Sequence, residues 1–172
     1  MRNWICALLW CAAASTLALS QAAPKWVSHR VDGEAGEVFD ELLLQGTYIK
    51  PPNNITAQPS LIVRCEKGKV IQTFFSFGAV LSQSVGGLHP VRLEAEIDKY
   101  RRVIEVDNVS PDWTAAYLSR KDLGRMLQAK IVKIGAVEFA GPVIQAEFDM
   151  PNPDPVYSAC GKDASLKPDQ PF

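Results

Sequence analysis

Apolar and polar residues alternate along much of the chain, and this pattern predicts a protein built mainly of β-strands. The clearest segment is residues 88–98, where every second residue from Val91 to Ile97 is apolar and the residues between them are charged. Successive side chains of a strand point to opposite faces, so one face of this segment is expected on a core and the other in water. Shorter runs of the same kind predict strands at 25–31, 101–107, 130–139 and 143–150.

Residues 59–77 are interpreted as a buried strand, a tight turn and a second buried strand. Lys67 and Gly68 form the turn, because glycine supplies the positive φ that short hairpins require. The second strand, from Val70 to Phe77, is apolar on both faces, which is typical of a central strand covered on both sides. Its phenylalanines are expected to lie in the core.

Two segments depart from simple alternation. Residues 119–129 combine Ser119 as a cap, Asp122 three residues later and an apolar stripe, so they predict a helix. Residues 38–48 fit a short helix or a strand, and the β-branched and aromatic residues at their end favour the strand. The predicted fold is therefore mainly β: a single antiparallel, sandwich-like domain with one α-helix at about 119–129.

The first 22 residues have the organisation of a secretory signal peptide. Arg2 precedes an apolar stretch from Ile5 to Leu19, and residues 20–22 match a small-x-small cleavage site. That stretch is too short to span a bilayer and no later run approaches the required length, so we expect a periplasmic or secreted protein without membrane insertion after signal removal. The β domain is expected to occupy residues 23–160, followed by a disordered polar tail at 161–172.

The cysteine content predicts a structural disulfide. Cys6 and Cys11 leave with the signal peptide, so Cys65 and Cys160 remain in the mature chain. Two cysteines in an oxidising compartment pair more often than they bind a metal, and neither lies in a C-x-x-C motif. A bond between them ties an early strand to the last element of the domain.

Charge and local motifs exclude several classes of function. The formal net charge of −1 becomes −2 when the signal peptide and its Arg2 are removed. A nearly neutral chain has no electrostatic basis for binding nucleic acid or an anionic membrane. The sequence contains no phosphate-binding glycine loop, no nucleophilic-serine turn and no spaced histidine pair, so neither a cofactor nor a metal is predicted.

The densest charged group lies on the outer face of residues 88–98 and consists of Arg92, Glu94, Glu96 and Asp98. Carboxylates at alternate positions of a strand are about 7 Å apart, which allows two of them to approach a metal or a sugar. The same pattern is typical of a solvated strand face with arginines nearby to pair with the acids. Trp113 is interpreted either as an exposed recognition residue or as a plug at the end of the sandwich.

The order of these features resembles a known family. A strand ending in cysteine (PSLIVRC) precedes a strand ending in aspartate (VRLEAEID), a tryptophan (SPDWTAAYLS), a helix (DLGRMLQA), a strand (IQAEFDM) and a final cysteine (YSAC). Over about Leu61 to Cys160 this order resembles the small exported proteins of the VasI-type group, which accompany type VI secretion clusters in bacteria. The resemblance implies structural roles for Cys65, Asp98, Trp113, Phe148 and Cys160.

These observations favour an exported, non-enzymatic accessory or binding protein of the bacterial envelope, with a protein as its partner. The resemblance implies an association with a secretion system. Two alternatives remain open. One is an envelope hydrolase or metal-dependent carbohydrate enzyme that uses Glu94, Glu96 and Asp98, and the other is an immunity-type inhibitor of a secreted toxin.

Overall fold

The fold is seen in a computed structural model, which describes residues 23–33, 36–51, 55–78, 91–106, 109–110, 114–137, 144–161 and 166. The predicted signal peptide at 1–22 and Trp113 lie outside the described residues. Ten strands and two helices are described, in the order β1 (Val27–Asp32), β2 (Val38–Gln45), β3 (Thr47–Lys50), β4 (Ser60–Glu66), β5 (Lys69–Ser76), β6 (Val91–Ile97), β7 (Tyr100–Val106), β8 (Ala115–Tyr117), α1 (Arg120–Met126), β9 (Ile131–Val137), β10 (Ile144–Asp149) and α2 (Asp154–Cys160).

The described strands form two antiparallel sheets of five strands each, which we call sheet A and sheet B. The strand order is β1-β2-β4-β5-β8 in sheet A and β3-β10-β9-β6-β7 in sheet B. Burial alternates along the strands: in β4, Leu61, Val63 and Cys65 are buried, whereas the residues between them are partly exposed. The predicted mainly β, antiparallel architecture is confirmed. β5 is an interior strand of sheet A, but it is not covered on both sides as predicted, since its outer face is partly exposed and Ile71 is 40% exposed.

Gly46 marks the point where the chain passes from one sheet to the other. It separates β2 in sheet A from β3 in sheet B by a single residue. A Cβ atom at this position would lie 2.7 Å from the carbonyl oxygen of Glu147 and 2.7 Å from the ring of Phe148. Glycine therefore allows the two backbones to approach at the corner.

The core lies between the sheets and is filled by their inward-facing apolar side chains. Phe75 packs edge-on against Phe77 and Phe148, with ring centroids 4.4 Å and 5.4 Å apart. Such edge-to-face contacts are a favourable arrangement of buried aromatic rings. Phe74 is an exception to the expectation for the phenylalanines of this segment, because it is only partly buried and lies on the opposite face of β5.

Both helices add side chains to the same core. In α1, Ser119 is the N-cap and its Oγ accepts a hydrogen bond from the backbone N–H of Asp122 at 3.1 Å, as the sequence predicted. Leu123 and Met126 of this helix are buried in the core. The second helix, α2, is additional to the one helix that the sequence predicts, and it buries Val156 and Cys160.

The predicted disulfide is present. Cys65 of β4 and Cys160 at the end of α2 are bonded, with their Cα atoms 5.2 Å apart. Both cysteines are buried among core residues. The bond fixes α2 against sheet A from the core side.

Most of the predicted tail lies outside the described residues, but Leu166 is described and is buried. It packs against Gly124 of α1, where an added Cβ would lie 2.7 Å from the Leu166 carbonyl oxygen. The chain beyond α2 thus returns to the first helix at this residue.

Candidate interaction surface

The outer face of sheet B carries charges of alternating sign. The register of the strands places Glu147, Lys133, Glu96 and Arg101 side by side on β10, β9, β6 and β7. We call these four residues the charge ladder. The Lys133 Nζ lies 3.6 Å from Glu147 and 3.8 Å from Glu96, so each acid has a cation beside it. Opposite charges on neighbouring strands stabilise a sheet modestly.

Glu94 and Glu96, the two strand carboxylates predicted as site candidates, belong to this network. Glu94 accepts a hydrogen bond from Arg101, and that bond raises the pKa of the Arg101 guanidinium. Glu96 faces Lys133. Glu96 converges with Glu147 on Lys133 Nζ, so an ammonium group already lies at the point where these two carboxylates meet.

Asp98 does not share the face of Glu94 and Glu96. It lies in the turn between β6 and β7 with a φ of 54°. Its Oδ1 accepts hydrogen bonds from the backbone N–H groups of Lys130 at 2.9 Å and Ile131 at 3.1 Å. These bonds fasten the turn to the start of β9, which is a structural role of the kind that the resemblance implied.

The remaining candidates contribute less to a site. The backbone of Arg92 pairs with Val137 of β9, while its side chain and all of Trp113 lie outside the described part of the chain. Among the described residues, no group of three or more His, Cys, Asp or Glu side chains is arranged to hold a metal ion. Within the same residues, no helix has the length and apolar character that crossing a membrane requires.

The outer face of sheet A is different, because an unbroken row of apolar side chains crosses all five strands. Register pairs Val27 with Leu43, Leu43 with Ile62, Ile62 with Phe74, and Phe74 with Tyr117. We call these five residues the apolar row. Val27 is 37% exposed and the other four are partly exposed. The outer face of an antiparallel sheet is normally polar, so this row needs a physical explanation.

A polar row lies next to the apolar row and consists of His29, Glu41, Arg64 and Gln72. The Arg64 Nε donates a hydrogen bond to Glu41 Oε2 at 2.7 Å, and its Nη1 donates to Gln72 Oε1 at 3.1 Å. The guanidinium carbon also lies 5.0 Å from the centre of the Phe74 ring. Arg64 is therefore held in one orientation by three neighbours, and it links the polar row to the apolar row.

A shallow depression extends the apolar row at the β5–β8 side of sheet A. It has a volume of about 620 Å³ and is lined in part by Ile71, Tyr117 and Arg120. Ile71 is 40% exposed. It is the extra residue of a bulge in the pairing of β4 with β5, because it lies between the register partners of Arg64 and Cys65. This combination of an apolar surface and a neighbouring concavity is typical of protein interaction sites.

Sequence reasoning placed the binding candidates on the β6 face and missed the apolar row. The five residues of the row come from five separate strands, and strand pairing cannot be read from alternation alone. One signal was present, since residues 70–77 are apolar on both faces and thus predict a covered outer face.

Comparison with protein-family models, curated proteins and solved structures finds no match to this chain. The geometry of the two outer faces is therefore the basis for assigning a function.

Proposed function

We propose that this chain is an exported, non-enzymatic accessory or binding protein of the bacterial envelope, and that it acts through the outer face of sheet A. The observation that carries the proposal is the apolar row, which crosses five strands on a face that antiparallel sheets normally leave polar. Removing such apolar surface from water contributes about 25 cal/mol of favourable free energy per Å², which favours association with another protein.

The charge ladder on the outer face of sheet B supports the same conclusion. Its acids Glu147 and Glu96 both lie at ion-pairing distance from Lys133. The exposed apolar residues of this face, Val103 and Ile131, lie in separate rows on either side of the ladder and do not form a continuous apolar row. The carboxylates there are used in cross-strand pairing, and Asp98 is used in a turn. This arrangement supports binding over hydrolysis or metal-assisted chemistry.

The envelope location is supported by the signal-peptide pattern at 1–22 and by the Cys65–Cys160 disulfide, which is compatible with an oxidising compartment. The association with a type VI secretion system is part of the proposal and rests on the VasI-type order of features. An immunity-type inhibitor would use the same face, with a secreted toxin as its partner.

A cross-linking experiment in intact envelopes tests this function. The native exported protein is compared with a variant carrying Ile62→Thr and Phe74→Thr in the apolar row, and with Ile131→Thr as a control. Ile131 is 39% exposed on sheet B, so the control removes apolar surface from the other outer face.

We expect a defined envelope protein to be cross-linked by the native chain and by the control, and to be lost with the apolar-row variant. Equal cross-linking by all three proteins would show that the face is not used. No cross-linked partner in any of them would also contradict the proposal. Thermal unfolding of each variant establishes that the comparison is made between folded proteins.

A further inference from the structure

The outer face of sheet A has charges arranged in a way that suits a copy of itself. Glu41 on β2 and Arg64 on β4 are register partners, and so are Leu43 and Ile62 one row away. On either side of this strand pair, Val27 of β1 and Phe74 of β5 occupy the same row. On either side of the line between β2 and β4, the apolar row therefore has apolar residues at matching positions, and the polar row has an acid on one side and a cation on the other.

We propose that this face is the interface of a homodimer, in which two copies pack face to face about a two-fold axis. The axis runs parallel to the strands and midway between β2 and β4. This inference rests on the proposed function in that it assigns the apolar row to protein contact, and it specifies a second copy of this chain as the occupant.

The register determines what meets across such an axis. A rotation about a line parallel to the strands keeps the height of every row, and it exchanges β2 with β4 and β1 with β5. Leu43 of one copy then lies opposite Ile62 of the other, and Val27 lies opposite Phe74. The apolar rows of the two copies meet over four strands each, as the inner faces of a sandwich do.

The same rotation places unlike charges opposite each other. Glu41 of one copy faces Arg64 of the other, and the symmetric contact repeats on the second side of the axis. The two existing pairs, each 2.7 Å between Arg64 Nε and Glu41 Oε2, become one neutral group of four charges. Axes centred on β2 or on β4 would place Glu41 opposite Glu41 or Arg64 opposite Arg64, so charge selects the axis between the strands.

Burying Arg64 and Glu41 in the interface costs less side-chain entropy than usual, because the two side chains are already oriented by each other. Arg64 is held by Glu41 and Gln72 within its own chain, so few side-chain rotamers remain to be fixed on association. Four strands spaced ~4.8 Å apart and roughly five residues of each give a flat face of the order of 300–400 Å² per copy. This is smaller than the ~800 Å² per partner of standard interfaces, so we expect a weak, reversible dimer.

Sedimentation equilibrium of the mature protein, from low micromolar to several hundred micromolar concentration, tests the dimer. We expect a reversible monomer–dimer equilibrium for the native protein and for the Ile131→Thr control. The variant with Ile62→Thr and Phe74→Thr should dissociate more than tenfold more readily, because it loses the central apolar contacts.

Charge reversal tests the axis itself. Glu41→Arg alone and Arg64→Glu alone should each be monomeric, because like charges then meet across the axis. An equimolar mixture of the two variants should dimerise again, since Arg at 41 and Arg64 of one copy then face Glu at 64 and Glu41 of the other. A role of these residues within a single chain cannot produce recovery on mixing.

Three results would overturn the inference. A native protein that is monomeric over the whole range excludes the dimer. A dimer that persists in the apolar-row variant uses another surface. A mixture of the two charge variants that stays monomeric excludes the proposed axis. If either charge variant does not fold, the apolar-row variant alone tests the dimer.

The cross-linking experiment separates the dimer from the proposed function. If the native protein is monomeric and the apolar-row variant loses the envelope cross-link, the dimer is disproved and the proposed function stands. If the native protein is monomeric and the apolar-row variant keeps the cross-link, both are disproved.

Discussion

Asp98 and Lys67 are the non-glycine residues with positive φ in the described part of the chain. At Asp98 the strained backbone coincides with two hydrogen bonds from the N–H groups of residues 130 and 131. Aspartate and asparagine tolerate this region better than most residues because their short side chains hydrogen-bond locally. The position that the sequence presented as a possible acid in a reaction is thus explained by the needs of a turn.

We expect Asp98→Ala to lower the free energy of unfolding by about 1–3 kcal/mol, because two N–H groups lose their acceptor and alanine disfavours positive φ. Asp98→Asn keeps an acceptor oxygen and the tolerance of this backbone, so it should lose less than half as much. Urea unfolding measures both. Equal losses for the two variants would show that the negative charge, and not the hydrogen-bonding geometry, is what matters.

Gly78 is a second residue whose identity is required by its surroundings. Its φ is 62°, and its carbonyl oxygen accepts hydrogen bonds from the N–H groups of Thr56 and Ala57. An added Cβ would lie 2.1 Å from the Ala57 carbonyl oxygen and 2.7 Å from the Tyr48 hydroxyl. Tyr48 also donates a hydrogen bond to the Phe77 carbonyl oxygen, and burial raises the pKa of its hydroxyl.

Gly36 provides a matched control for this position, because its φ is 85° but, apart from its chain neighbours, no atom of the residues that the structure describes lies within 4 Å of an added Cβ. Gly36→Ala should lower the free energy of unfolding by about 1 kcal/mol through backbone strain alone. Gly78→Ala carries the same strain and a clash with backbone, so its loss should be larger by a further ~1–3 kcal/mol. Similar losses at the two sites would mean that the 55–59 segment moves away without cost.

At the scale of elements, the sequence predicted most strands but not how they are joined into sheets. Alternation located β6, and the glycine turn located the β4–β5 hairpin. The passage from β2 to β3 was not predicted, because the three consecutive leucines 42–44 obscure the alternation and nothing local shows that the chain changes sheets at Gly46. The apolar row was missed for a related reason, since it exists only once distant strands have paired in one register.

The contact between α1 and Leu166 also could not be predicted, because it joins a helix to a single apolar residue in a polar, proline-containing stretch. Leu166 is only 1% exposed, and it covers Gly124, where a larger residue would collide with its backbone. A helix of seven residues depends on such packing, since isolated short helices are marginal in water.

We therefore expect Leu166→Ala to destabilise the protein by about 2–4 kcal/mol, as for other fully buried leucines. Ile55→Ala is a suitable control, because Ile55 is 52% exposed and its truncation should cost far less. Urea denaturation followed by circular dichroism measures both changes. An effect of Leu166→Ala no larger than that of the control would support the disordered tail that composition predicts for residues 161–172.

In the complete fold, the two outer faces of the sandwich differ in the side chains that they expose. Sheet B presents paired charges together with separate exposed apolar residues such as Val103 and Ile131, whereas the apolar residues of sheet A form one continuous row across five strands. Exposed apolar area costs solubility and contributes nothing to the stability of an isolated chain, so its arrangement across five strands favours a contact surface. The disulfide holds α2 on the core side of sheet A, so this helix does not cover the outer face of that sheet.

The proposed export and the observed disulfide lead to a joint prediction for the mature protein. Thiol titration of the denatured, unreduced protein should find no free thiol, because the proposed signal cleavage removes Cys6 and Cys11 and the other two cysteines are bonded. Replacing Cys65 and Cys160 together by alanine should lower the free energy of unfolding by about 2–5 kcal/mol, since the bond closes a loop with a sequence separation of 95. Thiol counting and urea unfolding measure these effects.

The count of thiols separates the two parts of this prediction. Two free thiols on a chain that begins at Ala23 would mean that the disulfide does not form, whereas two free thiols on a chain that keeps residues 1–22 would mean that Cys6 and Cys11 remain. Dithiothreitol provides the control for the stability effect. It should destabilise the native protein by about as much as the double alanine variant loses, and it should leave that variant unchanged, because the loop-closing bond is then the shared cause.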